Sequence, residues 1–161
     1  MPDMTPVEFA ALLGGMVVEV ENAAQEGLER ATKLVQREVR AELGHYQEAA
    51  GPFPAWAELA ESTKDDRVRQ GYPENEPGLR SGEMRDGIER NVQGRTGRVG
   101  SNDDKMVYFE LGSAKQPPRA TLAGALIRKE EDVARVIGRH FVGRLFGEDV
   151  ANGSVPVIGD E

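Results

Sequence analysis

The chain has 161 residues, 20 Lys and Arg against 28 Asp and Glu, a net charge of −8, and no cysteine. That length fits one domain with residues left for an arm or tail, and it can bury a real core without staples. The lack of cysteine excludes disulfides and thiolate metal sites, and the acidic balance disfavours general affinity for a phosphate backbone.

The acid is unevenly spread. Residues 1–66 carry 13 acidic and 5 basic side chains, residues 67–161 carry 15 of each, and Arg80 to Arg119 holds 8 basic against 6 acidic. The longest apolar run, Phe9 to Val18, has ten residues, too few to span a bilayer. Asp3 and Glu8 lie ahead of it with no Lys or Arg, the wrong sign for a secretion signal. A soluble chain without a targeting segment or membrane contact is expected.

In chain order, the first element is a helix with a strong start. Thr5-Pro6-Val7-Glu8 matches a capping box, with Thr5 at N-cap, Pro6 at N1 and Glu8 at N3, and Met4 and Phe9 occupy the two staple positions. Apolar residues at 9, 12, 13, 16, 17, 20, 24, 28, 31, 35, 39 and 43 trace one helical stripe. Gly44 is the stop. A helix from Pro6 to Leu43 is about 57 Å long at ~1.5 Å per residue. That exceeds the width of a small domain, so part of it should project or pack on a neighbour. Gly14-Gly15 is the place where it would kink or split.

Residues 44–78 read as irregular, with a break at Gly51-Pro52-Phe53-Pro54, Trp56 just after it, and a short helix within Glu58 to Gln70. Gly71 to Gly78 is a loop by composition, and a long irregular stretch in a compact domain points to an interface role. Leu79 to Ile88 reads as a short helix with Leu79, Met84 and Ile88 inward. Ile88–Gln93 and Arg98–Ser101 read as a hairpin around Gly94-Arg95-Thr96-Gly97, followed by a turn at Asn102 to Lys105. Met106–Leu111 is expected as a strand, because Val107, Phe109 and Leu111 share one face at period two. Gly112 ends it, as the residue that tolerates positive φ. Pro117-Pro118 leads into a long helix, roughly Thr121 to Phe146, carrying Leu122, Leu126, Val133, Val136, Ile137, Phe141 and Leu145. Residues 151–161 read as a tail, flexible or bound to a partner. The sum is a single α+β domain over residues 1–150, a small mostly antiparallel sheet packed against long N- and C-terminal helices.

No catalytic constellation stands out. His45 and His140 are the only histidines and lack the partners a triad or metal site needs. Asp103-Asp104 is first a turn, since Asp bonds its own backbone. Arg80, Arg85, Arg90, Arg95 and Arg98 could touch phosphates, but Glu83, Asp86 and Glu89 interleave with them, which favours local ion pairing. Gly94 to Gly97 and Gly112 are not followed by a Gly-Lys-Ser/Thr element. Trp56, Tyr72 and Tyr108 are core candidates first, with Trp56 also placed to anchor an interface.

Taken together, Leu79-Arg80-Ser81-Gly82, Met84, Ile88, Val99-Gly100, Tyr108, Glu110-Leu111-Gly112-Ser113, Pro118-Arg119 and Leu122 with Ala125-Leu126 form an ordered pattern. In that order the chain resembles the tail-completion, or head–tail joining, family of tailed bacteriophages. Ser113 stands where the family usually has Thr, and Ala120-Thr121 where it has Pro-Phe. The resemblance implies a subunit of a ring, commonly a hexamer, at the head–tail junction or tail end of a virion assembled in the bacterial cytoplasm. Its partners would be copies of itself, connector or stopper proteins, and tail-tube or tail-terminator proteins, with DNA passing through the lumen unbound. The family offers no catalytic residues or cofactor to carry over.

The leading expectation is therefore a structural virion protein and not an enzyme, with no metal and no cofactor. Trp56, Tyr72, Arg80, Arg85, Glu110, Lys115 and Arg119 are its candidate interface residues. An acidic lumen that lets DNA slide is a corollary. The rivals are a nucleic-acid-binding module using Arg80 to Arg119, and a small hydrolase using Glu110 or Asp103/Asp104.

Overall fold

A computed structural model describes residues 4–146; the expected tail at 151–161 lies outside them. Eight elements follow in order: α1 Pro6–Glu42, α2 Glu61–Arg69, α3 Glu83–Asp86, β1 Ile88–Gln93, β2 Thr96–Ser101, α4 Asp104–Leu111, α5 Leu122–Arg128 and α6 Glu130–Phe146. The protein is α+β. A long N-terminal helix carries a two-stranded antiparallel sheet and a C-terminal helix on its flanks.

The capping box starts α1. Thr5 Oγ1 accepts from the Glu8 amide, and Glu8 Oε2 accepts from the Thr5 amide at 2.8 Å. The Thr5 amide and then the Thr5 hydroxyl, both donating to Glu8 Oε2, hold the Glu8 carboxyl below the usual carboxylate range. The helix runs unbroken through Gly14-Gly15 for 37 residues, about 56 Å at ~1.5 Å per residue.

Only its second half packs. The core forms around the C-terminal end of α1, where Val35, Val39 and Leu43 meet Trp56, Ile88, Met106, Phe109 and Ala125. Helix α6 runs antiparallel to α1. Lys129 pairs with Glu38 near one end, Ile137 lies against Gly27 in the middle, and Arg144 reaches Glu19 and Glu26 near the other. A Cβ at Gly27 would sit 3.4 Å from the Ile137 Cα, so glycine there brings the two helices close. The hairpin lies on another side of α1. Its register runs from Ile88↔Ser101 to Gln93↔Thr96. Gln36 and Arg40 both donate to the Ile88 carbonyl, at 2.7 and 2.8 Å.

Four expectations are corrected. Met106–Leu111 is not a strand: it belongs to helix α4, with Asp103 as N-cap accepting from the Lys105 amide at 2.9 Å. The alternation of Val107, Phe109 and Leu111 is coincidental. The buried pair is Met106 and Phe109, three residues apart, while Val107 and Leu111 face outward. The expected long helix from Thr121 is two helices, broken at Lys129. Glu130, Glu131 and Asp132 form the first turn of α6, where acidic side chains complement the helix dipole. The expected helix over Leu79–Ile88 shrinks to one turn, Glu83–Asp86. The hairpin loop is also tighter than expected. Gly94 and Arg95 alone connect the strands, with Gly94 at φ +57°, the position where two-residue turns call for glycine.

The break at Lys129 lets α5 meet the end of α1. Arg128 Nε donates to Glu42 Oε1 at 2.8 Å, and Arg128 Nη2 lies 2.6 Å from Glu42 Oε2 in an alignment too poor for a second linear hydrogen bond. Glu42 is only 3% exposed. Burial pushes its carboxyl up to about 7 despite the guanidinium beside it.

Candidate partner-binding cleft

A cleft of about 750 Å³ opens between α2, the Tyr72–Gly82 segment, α4 and the Lys115–Arg119 segment. Its floor includes Leu59, Met84 and Phe109. Its walls bring together four residues picked from the sequence, Tyr72, Arg80, Lys115 and Arg119. These come from segments more than 30 positions apart, so no local motif announces the cleft.

Two buried guanidiniums line it. Arg67 donates through Nη1 to the carbonyl of Glu76 at 2.7 Å and to that of Pro73 at 3.3 Å. Arg119, 3% exposed, donates through Nε and Nη2 to the Ala57 carbonyl at 3.1 and 2.8 Å and through Nη2 to Glu58 O at 3.2 Å. Among the described residues neither forms a salt bridge with a carboxylate. Each meets backbone carbonyls but no carboxylate, so its charge is not neutralised, and burial pushes both guanidiniums down from the ordinary arginine value. Arg80 stands at the rim, its Cζ 4.9 Å above the Tyr72 ring, with Gln70 and Asp66 as further partners. Lys115 is exposed and, among the described residues, forms no salt bridge. The cleft therefore joins an apolar floor to an excess of cations, with Arg67, Arg80, Lys105, Lys115 and Arg119 against Glu58 and Glu83, suited to a partner that presents apolar and acidic groups together.

The other candidates lie elsewhere. Trp56 is behind the cleft wall as a core group, 6% exposed and edge-on to Phe109 at 5.3 Å between ring centres. Arg85 lies outside the cleft lining, paired to Asp86 at 2.9 Å. Glu110 caps the start of α5. Its Oε2 accepts from the amides of Thr121 and Leu122 at 2.6 and 2.9 Å, and its Oε1 from that of Ala123 at 2.9 Å. Gly112, at φ +78° and ψ −179°, turns the chain between these groups in a conformation close to glycine-only. A Cβ there would lie 2.8 Å from Pro118 N. The Arg119 amide then returns to the Phe109 carbonyl at 2.8 Å. Sequence reasoning misses Arg67, whose only signal is its place in a charged helix next to a Pro- and Gly-rich loop.

Four of the five arginines considered as a phosphate-binding series face carboxylates, while Arg98 is exposed and, among the described residues, forms no salt bridge. Arg90 pairs with Glu29 at 2.5 Å, Arg95 with Glu21, Arg80 with Asp66 and Arg85 with Asp86. His140 meets Glu26 at 2.6 Å. Hydrogen bonds from His140 and then Arg144 hold the Glu26 carboxyl below its ordinary range. Among the described residues no group of three or more His, Cys, Asp or Glu is placed to hold a metal ion, and no helix is long and apolar enough to cross a membrane.

No protein-family model, curated protein or solved structure matches this chain.

Proposed function

We propose that the chain is a structural subunit of the neck or tail of a tailed phage particle, a tail-completion or head–tail joining protein that assembles as a ring around the DNA channel. The observation that carries this reading is the junction between α4 and α5. The sequence elements on which the resemblance rests, Glu110 to Ser113 and Pro118-Arg119, are one physical unit. The glutamate caps the next helix, the glycine makes the turn, and the arginine buries itself under the Ala57–Glu58 backbone. A pattern whose members depend on one another supports a shared fold better than a chance run of residues does. The electropositive cleft beside that junction supplies a contact surface for a neighbouring subunit.

The rivals draw less support. A nucleic-acid module would need Arg80 to Arg119 free for phosphates, and four of those arginines already face carboxylates. A hydrolase using Glu110 would have to release three backbone amides. The acidic-lumen corollary also weakens, because Glu19, Glu21, Glu26, Glu29, Glu38 and Glu42 of α1 are paired with cations of the same chain.

The test is deletion of the gene in a strain that releases particles, followed by electron microscopy of the lysate. DNA-filled heads and tails that fail to join, or tails of abnormal end structure, are expected. Normal infectious particles from the deletion strain would overturn the reading.

A further inference from the structure

The cleft holds cationic donors that nothing described uses. Arg119 and Arg67 are 3% and 7% exposed, and both line it. Arg119 donates through Nε and Nη2 to the carbonyls of Ala57 and Glu58, and Arg67 through Nη1 to those of Pro73, Glu76 and Leu79. Among the described residues, Arg119 Nη1 and Arg67 Nε and Nη2 have no hydrogen-bond partner, and Lys115 forms no salt bridge. The rim groups are already matched: Arg80 faces Asp66, Lys105 faces Glu83, and Glu58 faces Lys64. Two guanidiniums taken out of water without a counter-charge are costly. A carboxylate relieves that cost and accepts from their free N–H edges. The apolar floor is close by, with Arg119 Cζ 5.7 Å from the centre of the Phe109 ring. The cleft thus fits an apolar side chain and a carboxylate a few residues apart on one stretch of chain.

The sequence carries that combination outside the described residues. Val155-Pro156-Val157-Ile158 precedes Gly159-Asp160-Glu161, and residues 145–161 hold four acids and no Lys or Arg. Pro156 reduces the conformational freedom that docking removes. Length decides whose cleft the segment reaches. Gly78 in the cleft wall sits against Leu43, where a Cβ would lie 2.5 Å from Leu43 Cδ2. Helix α6 runs the other way, and Arg144 lies beside Glu19 and Glu26. Those two glutamates are about 36 and 26 Å from Leu43 along α1 at ~1.5 Å per residue. The stretch from Gly147 to Val155 covers about 32 Å at most when fully extended. A chain would reach its own cleft only with these residues pulled taut, at the loss of their conformational entropy. The cleft of a neighbouring copy imposes no such constraint.

We propose that residues 155–161 of one copy of this chain dock in the cleft of a second copy. Val157 and Ile158 cover the Phe109 floor, and Asp160 and Glu161 face the free edges of Arg119 and Arg67 and the Lys115 ammonium. The contact is heterologous: each copy gives a segment and receives one. Such contacts close into rings or run on as filaments. The inference deepens the ring reading and rests on it for closure.

The probe is a fluorescent peptide of residues 150–161, titrated with the full-length chain and followed by anisotropy. Saturable binding is expected. Lys115→Glu in the protein, or Ile158→Asp in the peptide, should weaken it by roughly tenfold or more. Arg98→Glu, at an exposed position on the hairpin, should change it by less than about twofold. Lys115 is exposed, so an unchanged denaturation midpoint should show that Lys115→Glu folds. In light scattering, wild-type chain should associate at high micromolar concentration. Full-length Lys115→Glu and Ile158→Asp should each stay monomeric. Their equimolar mixture should recover a pair, because the intact segment of one meets the intact cleft of the other.

Absence of saturable binding would overturn the proposal. So would an equal loss in Arg98→Glu, or equal affinity for a scrambled peptide of the same composition, since either would reduce the attraction to net charge. Peptide binding by Ile158→Asp protein, with none by wild type at concentrations where wild type is monomeric, would give the cleft to the chain's own segment and overturn the second copy as its occupant. Rings that persist in Ile158→Asp would remove this contact and leave the ring reading standing. Normal particles from the deletion strain would remove that reading and leave the contact to the binding and mixing results.

Discussion

The two halves of α1 are one helix in two environments. From Glu19 to Glu42 its acids meet the arginines of the hairpin and the cations of α5 and α6, and its small residues Ala23, Gly27 and Ala31 are buried. From Pro6 to Val18 it is richer in large apolar groups, yet no other described residue buries them. Burial therefore does not follow hydrophobicity. It follows contact geometry: small residues let a partner helix approach closely, and charged residues give it a register. Among the described residues, the exposed half, the arm, holds the greater unused capacity for burial.

Substitutions should separate the halves sharply. Phe109→Ala, at the core that the packed half supports, should cost ~3–5 kcal/mol of unfolding free energy. Leu13→Ala on the arm should stay within ~0.5 kcal/mol in dilute protein. Urea denaturation of both would read the contrast, and similar losses would break the comparison.

Next in size, Glu110→Ala leaves the Thr121, Leu122 and Ala123 amides without their acceptor and should cost ~2 kcal/mol. It should also raise hydrogen exchange at those three amides specifically. A variant as stable as wild type would mean that the cap contributes nothing to the junction.

A further effect should follow pH. The Glu42 carboxyl is raised in the fold from 4.5 to about 7, so between those values the folded chain holds a proton that the unfolded chain has released. Its stabilising contribution is complete below the unfolded value and is lost as pH rises through about 7. Wild-type stability should therefore fall relative to Glu42→Gln across that window, by at most about 1.4 kcal/mol per pH unit. Parallel melting curves for the two proteins from about pH 5 to pH 8 would refute this.

The smallest global change is expected from Gly14→Ala. A Cβ there meets nothing within 4 Å, and alanine should strengthen the arm helix locally by ~1 kcal/mol. Amide exchange within residues 8–18 should slow while the global denaturation midpoint stays put. A moved midpoint would show that the arm is coupled to the core, and the contrast between the halves would need redrawing.

Several features are legible in the amino-acid order alone. The capping box at Thr5 and Glu8, the strand Ile88–Gln93 and the positive φ of Gly112 depend on residues within a few positions of one another, so the chain states them locally. Met106–Leu111 misleads because apolar groups at 106, 107, 109 and 111 satisfy both a strand and a helix. Asp103, legible as a residue that bonds its own backbone, decides for the helix by capping it. The break at Lys129 has a signal in the acidic triplet that follows it. The cleft has none. Tyr72, Arg80, Lys115 and Arg119 each stand out singly, but their meeting place depends on how α2, α4 and two loops pack around Phe109.

By itself, the sequence determined where α1 starts, where glycine turns the chain at Gly112, and that ten apolar residues lie together near the N-terminus. Each depends on short-range sterics or on hydrogen bonds along the backbone. Which apolar groups are buried, which carboxylates find cations, and whether a given glutamate caps a helix or faces solvent were decided by tertiary structure. Those outcomes depend on surfaces brought together across tens of residues, and they differ between two stretches of one continuous helix.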